Sequence, residues 1–449
     1  MKPSIPKGTR DFLPSQVRKR KYIFDIIKEV FELYGYVPVE TPSFENLSVL
    51  TGKYGEEGDR LIFKILNNGD FLSKVNREDL CEKDSKKVLP QISKRGLRYD
   101  LTVPFARFVV MHENELSFPF KRYQIQPVWR ADRPQKGRYQ EFYQCDVDAI
   151  GSDSLMYEAE LVKIYDDIFS RLNIPVEIRI NNRKILEDMT RAIGEEDKFT
   201  SITVIIDKLD KIGMENVEKE LHYKGVSDKA IEEIKEYLEL DSTGALKDWL
   251  DHRNIESTGL KEVKKVFEYL YMTPLANSVV FDPALARGLN YYTGCIFEVK
   301  AIDSGMGSLG GGGRYAELTE VFGKKGMPGV GISLGAERIY DLMEEQGLFP
   351  EKTGDALELF FVAFDEYTHK QAFKLASILR RQGIKTDVYP SPAKMKKQMK
   401  YADSIKVPFV AILGGDELDK RVVSLKNMAT GEQKEVAWDD LADAVRQEV

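Results

Sequence analysis

The chain has 449 residues, with 66 Lys and Arg against 73 Asp and Glu, a formal net charge of −7. Such a length calls for two or three domains rather than one core, and the acidic balance excludes a polycation that coats nucleic acid or a membrane surface. An anionic ligand must therefore be met by local basic patches.

The N-terminal "MKPSIPKGTRDFLP" lacks the apolar core of a secretion signal, and no apolar run approaches the ~20 residues that span a bilayer. Three scattered cysteines (Cys81, Cys145, Cys295), without CxxC or metal-ligand spacing, fit a reducing compartment. The expectation is a cytoplasmic enzyme. "SQVRKRKYIFDIIKEVFELYG" reads as an amphipathic helix opening at Ser15 and stopping at Gly35. The extended "YVPVETPSF" follows, confined by Pro38 and Pro42 to a sheet edge or an interface.

From about Phe120 to Asp148 the pattern has period two, with "KRYQIQPVWR" (121–130) and "RYQEFYQCDVD" (138–148) as paired strands around "ADRPQKG". Tyr123, Ile125 and Trp129, with Tyr139, Tyr143 and Val147, form the core face. If Arg130 and Arg138 close the loop opposite each other, they share the other face with Gln124, Gln126, Gln140, Phe142, Gln144 and Asp148. Residues 130–138 hold Arg130, Arg133, Lys136 and Arg138, three arginines and a lysine in an acidic chain. Arginine forks, amides, one aromatic ring and an acid on a single strip suit a ligand with phosphate, a planar base and an amine. A solvated polar face is the plainer alternative.

Residues 182–272 are helical and charge-rich, and strand patterning resumes at "SVVFDPAL" and "YYTGCIFEVKA", so a helical block interrupts a mostly β domain of α+β class. The glycines of 305–313 lack the GK[ST] of a phosphate-binding P-loop and read instead as close backbone approach or an unusual turn. In "PGVGISLGAERIYDLM" (328–343) a strand runs into Gly335 and a helix starts near Ala336, placing Arg338 in the first turn, where anions are favoured. The chain has four histidines, no HExxH and no GxSxG, which speaks against zinc or serine hydrolysis. After the linker "QGLFPEKTGDA", alternating strands and helices form a separate α/β domain. Its "SPAKMKKQMKYADSIK" (391–406) sets Lys396 and Lys400 on one helical face beside Lys397, with Met395, Met399 and Ala402 opposite.

"RADRPQKGRYQEF", "GVGISLGAER" and "YGYVPVETP" resemble motifs 2, 3 and 1 of class II aminoacyl-tRNA synthetases. "LARGLNYYTGCIFE" and "GGGRYAEL", with "KGTRDFLP" and "LRYDLTVPFAR", are similar to segments of the histidyl-tRNA synthetase family. The resemblance implies an antiparallel-sheet catalytic domain over 1–345, with motif 1 around 35–45, motif 2 around 121–148 and motif 3 around 328–343. It also implies a helical insertion over 182–272 and an anticodon-binding domain over 356–449.

The implied activity is ATP-dependent ligation of L-histidine to tRNA(His) through histidyl-adenylate, by a homodimer that binds neither DNA nor membrane. ATP is substrate, with Mg²⁺ held mainly by its phosphates and no protein metal ligand assigned. By position, Arg130, Arg138, Phe142 and Arg338 would bind ATP, and Arg287 would face the α-phosphate as the catalytic arginine. Asp100, Thr102, Gln144 and Asp148 would hold the histidine amino group, and Tyr291 and Tyr292 would line the imidazole pocket. Arg133, Gln135 and Lys136 would touch the tRNA acceptor end, and Lys396, Lys397 and Lys400 the anticodon region. Asn290 and Ala316 stand where the family usually has aspartate, and Asp100 and Asp148 are one carbon shorter than the usual glutamates. Competing readings are a catalytically inactive regulator that senses histidine or tRNA, and a class II synthetase for proline or threonine.

Overall fold

The structure, a computed structural model, describes residues 2–51, 55–287, 291–316, 318–350, 353 and 357–448. Asn290 and most of the linker lie outside the described residues. The chain divides into two compact units, Met1–Asp11 with Arg20–Leu348, and Phe12–Lys19 with Phe349–Val449. Among the described residues no helix is long and apolar enough to cross a membrane.

The opening helix runs Pro14–Leu33, burying Ile23, Ile27, Val30 and Phe31, and the chain turns at Gly35 with φ +77°. The larger unit is built on an eight-stranded sheet. From edge to edge its strands are Val37–Pro38, Phe120–Trp129, Glu141–Ile150, Gly329–Gly335, Gly310–Tyr315, Cys295–Ala301, Val176–Asn182 and Ser278–Phe281. The two edge pairings are parallel and the five between them antiparallel. Pro38, which has no N–H to give a ladder, occupies an edge. A three-stranded antiparallel sheet of Phe44–Asn46, Ser93–Leu97 and Lys64–Leu66 follows that edge in the chain.

Between Asn182 and Ser278 the described chain is helical, from Arg183–Ala192 to Thr258–Leu270. Asn182, Ser227, Ser242 and Ser257 each accept a hydrogen bond from a first-turn N–H of the helix that follows, which satisfies donors that helix starts leave orphaned.

The smaller unit carries a five-stranded sheet ordered Thr386–Val388, Leu359–Ala363, Phe409–Leu413, Val422–Asn427 and Gln433–Ala437, parallel over the first three strands and antiparallel beyond. Leu359, Phe361 and Ala363 join a core cluster with the helix Glu366–Arg381. Phe360 and Val362 join Ala402 of the helix Met395–Ser404 on the opposite face, as strand alternation requires. The inner face of Met395–Ser404 differs from the sequence expectation. Met399 and Ala402 do pack inward, but Met395 is 37% exposed and Gln398 is buried. The Gln398 amide donates to the Ala363 carbonyl at 2.7 Å and accepts from the Ala363 N–H at 3.2 Å. A polar side chain thus displaces Met395 because the end of the Leu359–Ala363 strand offers it both hydrogen bonds.

Candidate active site

The hairpin is the base of the site. Phe120–Trp129 and Glu141–Ile150 pair with Arg122 opposite Asp148, Gln124 opposite Asp146, Gln126 opposite Gln144 and Val128 opposite Phe142. The even-numbered polar strip is therefore real, but it is not solvated: Arg122, Gln124, Gln144, Asp146 and Asp148 are all buried. The loop end also differs from expectation. Arg130 N–H donates to the Gln140 carbonyl, while Arg138 closes a tight turn with Gln135 around Gly137, whose φ is +69°. Arg130 and Arg138 are consequently not cross-strand partners. Gln140 N–H is taken instead by the Gly8 carbonyl of the N-terminal segment, so the second strand begins at Glu141.

A cavity of about 440 Å³ opens over this strip. Arg130, Arg138, Phe142, Arg287, Arg338, Asp100, Thr102, Gln144, Asp148, Tyr291 and Tyr292 all line it. Arg133, Gln135 and Lys136 do not; they are exposed on the hairpin loop, where Lys136 pairs with Glu345 at 3.0 Å.

Four arginines reach the cavity from four segments. Arg130 donates to the Tyr99 carbonyl at 3.0 Å and lies over the Tyr99 ring at 4.3 Å and the Phe142 ring at 5.2 Å. Arg338, in the first turn of the helix Ala336–Gln346, donates to the carbonyls of Gly137 at 2.9 Å and Ser308 at 2.6 Å. Arg287 donates to Ser308 Oγ at 3.0 Å and pairs with Glu298 at 3.0 Å. Arg138 pairs with Asp132 at 3.7 Å. Burial pulls the Arg338 pKa below the ordinary arginine range, and repulsion from Arg138, Arg287 and Arg130 pulls it further. A ligand carrying several negative charges relieves that repulsion.

The other end of the cavity is acidic. Asp148 pairs with the buried Arg122 at 2.8 Å and accepts from Tyr315 Oη at 2.8 Å. Burial raises its carboxyl pKa, while Arg122 and the Tyr315 hydrogen bond oppose the rise. Burial likewise pushes Asp146 up to about 7. Gln144 is held between Ser333 Oγ, to which it donates at 2.8 Å, and Arg130, from which it accepts at 3.4 Å. Asp100 accepts from Val103 N–H at 3.2 Å at the start of the helix that Thr102 opens. Tyr291 Oη donates to Tyr292 Oη at 3.1 Å. Room for these groups comes from glycine: a Cβ at Gly331 would overlap the Asp148 carboxylate, and one at Gly311 the Arg287 guanidinium.

Tyr99, Asp146, Ser308, Tyr315, Ser333 and Glu337 also line the cavity and were missed in the sequence. Asp146 shares the even-numbered register of Gln144 and Asp148 and was legible there. Glu337 accepts from Tyr143 N–H at 2.8 Å and pairs with Arg20 at 2.6 Å, fixing the helix Ala336–Gln346 onto the hairpin. Only its place beside Arg338 hinted at that.

Residues 69–339 match the family model of histidyl-tRNA synthetase, and residues 358–448 that of the anticodon binding domain. The chain belongs to the histidyl-tRNA synthetase family. A Porphyromonas gingivalis relative named histidine–tRNA ligase is 52% identical over 438 residues, 96% of each chain. One from Bacteroides fragilis, of the same name, is 51% identical over 449 residues, 99% of each. The crystal structure of histidyl-tRNA synthetase from Nostoc sp. PCC 7120 superposes with a TM-score of 0.84 at 32% identity, covering 100% of both chains. The fold is accordingly that of a class II synthetase, with its antiparallel-rich catalytic sheet and a separate anticodon-binding domain.

Proposed function

We propose that this chain ligates L-histidine to tRNA(His), forming histidyl-adenylate from ATP and then passing the histidyl group to the terminal ribose of the tRNA. The observation that carries this reading is the convergence of Arg130, Arg138, Arg287 and Arg338 on one cavity whose far end is lined by Asp100, Asp146 and Asp148. A triphosphate and a cationic amine satisfy the two ends of such a cavity. An inactive regulator has no need of four arginines on one cavity, and relatives at 52% and 51% identity that match over 96% and 99% of the chain are named ligases.

In this reading Phe142 stacks on one face of the adenine and Arg338 covers the other while reaching the γ-phosphate. Arg130 holds the α-phosphate and Arg138 the outer phosphates. Asp100, Thr102, Gln144 and Asp148 bind the α-amino group, and Tyr291 and Tyr292 border the imidazole. The histidine carboxylate attacks the α-phosphorus in line, forming the P–O bond of the mixed anhydride and expelling pyrophosphate. Arg287, against the α-phosphate opposite the attacking carboxylate, stabilises the charge that grows on the α-phosphate oxygens, and the sheet aligns the reactants.

Among the described residues no group of three or more His, Cys, Asp or Glu is arranged to hold a metal. In this reading Mg²⁺ rides on the ATP phosphates as part of the substrate. Cys81 is exposed and Cys145 and Cys295 are buried, all as free thiols, a state suited to a reducing cytoplasm. The hairpin loop with Arg133, Gln135 and Lys136 receives the acceptor end of the tRNA, and the smaller unit its anticodon. The test is ATP–pyrophosphate exchange measured with each of the standard amino acids. Exchange with histidine alone is expected. Exchange with proline or threonine, or with none, overturns the reading.

A further inference from the structure

Arg287 ends the turn that begins at Asp282, and that turn is anchored behind the sheet: Asn181 donates to the carbonyls of Pro283 at 3.3 Å and Leu285 at 2.9 Å, and Arg179 pairs with Asp282 at 3.0 Å. The anchors fix the backbone but not a four-bond side chain. Its guanidinium is placed by the sheet. Glu298, on Cys295–Ala301, stands directly opposite Gly311, on Gly310–Tyr315. Gly311 has no side chain, and the guanidinium occupies the space a Cβ would take. Glu298 holds it there by an ion pair of 3.0 Å, with Ser308 Oγ and the Gly310 carbonyl accepting from Nη1 at 3.0 and 3.3 Å. Glu298 is itself only 15% exposed at its side chain and is fixed by Lys300 at 3.3 Å, which also pairs with Asp210 of the helical block.

We propose that Glu298 is the positioning residue for Arg287, and that Gly311 opposite it is the seat that lets the pair form. This deepens the reading of Arg287 as the α-phosphate arginine and rests on it. Glu298 touches no substrate in this arrangement. It acts by holding a cation that the neighbouring arginines repel, so that the guanidinium is already aimed when charge develops on the α-phosphate.

The test is a double-mutant cycle on histidine-dependent pyrophosphate exchange, with E298Q, R287A and the pair, each also followed by thermal melting. E298Q is expected to lower kcat about tenfold with the histidine KM within about twofold and the melting temperature unchanged. In the R287A background the same substitution is expected to cost less than about twofold, because its target is gone. A tenfold loss that persists on top of R287A means a structural role and overturns the proposal, as does E298Q with wild-type kcat. Should E298Q fail to fold, G311A supplies the second arm. It leaves Glu298 intact but fills the seat, so it should reproduce the kcat loss and also fail to add to R287A. Additivity of G311A with R287A overturns the proposal equally. R287A with wild-type kcat would instead remove the assignment of Arg287 itself, an outcome distinct from failure of the Glu298 link.

Discussion

At Asp146 three physical effects compete. Burial, at 2% exposure, drives its pKa up to about 7; Arg122 and a hydrogen bond from Ser333 pull it down, and Asp148 and Asp100 push it up again. An aspartate in the unfolded chain titrates near ~3.9. The folded value is the higher, so the folded state binds the extra proton between about pH 4 and pH 7. The stability this contributes is full below about pH 4 and is lost as pH rises through about 7. Asp146→Asn removes the titration while keeping the shape. Relative to wild type, the variant is expected to gain about 1–3 kcal/mol on going from pH 5 to pH 8, read from urea midpoints at the two pH values. A constant difference between the two proteins would show that Asp146 stays ionised in the folded state throughout. The effect at the site is separate: with Asp100 and Asp148 holding the amino group as proposed, histidine should still support exchange in the variant.

The elements show where sequence is legible and where it stops. Alternation along 120–150 put Gln124, Gln126, Phe142, Gln144 and Asp148 on one strip, and their pairing follows that register. Alternation assigns faces but says nothing of what covers them. The cover here comes partly from Phe105, whose ring centroid lies 4.1 Å from the Arg122 guanidinium, and from Thr41, whose hydroxyl accepts from the Gln124 amide at 2.9 Å, both on segments outside the hairpin. The loop register failed for a related reason, since the Gly8 carbonyl that claims Gln140 is more than a hundred residues away in sequence. In the helix Met395–Ser404 the lysines were placed correctly on the outer face, but Gln398 was not legible as an inner residue because its reward is two backbone hydrogen bonds rather than apolar area. Lys396, Lys397 and Lys400 are exposed on this helix, and Lys397 lies 5.9 Å from the Tyr389 ring. Replacing the three with glutamine is expected to leave pyrophosphate exchange intact, since none lines the catalytic cavity. The tRNA KM should rise and its dependence on salt become shallower as phosphate contacts are lost. An unchanged KM and salt slope in aminoacylation assays would place the anticodon elsewhere on the domain.

At the scale of the whole molecule the edge of the large sheet sets the problem. The strand Val37–Pro38 is the outermost on its side, two residues long and parallel to Phe120–Trp129. Apolar side chains flank it in the open: Leu33 is 64% exposed, Val37 47% and Phe44 49%. The segment is nevertheless rigid. Arg98, fully buried, donates to the carbonyls of Thr41 and Pro127 at 2.8 Å each and to Gln126 Oε1 at 2.8 Å, tying the stretch after the strand to the hairpin at the base of the cavity. Burial lowers its pKa to about 10, a cost the fold accepts to fix this one segment. A rigid, apolar, unpaired sheet edge favours pairing with another surface, and a second copy of the chain related by a two-fold axis presents the matching edge. The expectation is a homodimer joined through residues 35–45, with each motif 1 segment bracing the hairpin of its own protomer. Sedimentation equilibrium at micromolar concentration should return about twice the 51.3 kDa of one chain. Phe44→Glu, which puts a charge beside that edge, on the neighbouring strand Phe44–Asn46, without touching the cavity, should shift the mass toward the monomer. It should also lower exchange activity in step with the monomer fraction, because an uncovered edge no longer holds the segment that Arg98 ties to the site. A mass near 51.3 kDa for the wild-type chain would refute the dimer, and a monomeric Phe44→Glu variant with full activity would refute the coupling between that edge and the ATP site.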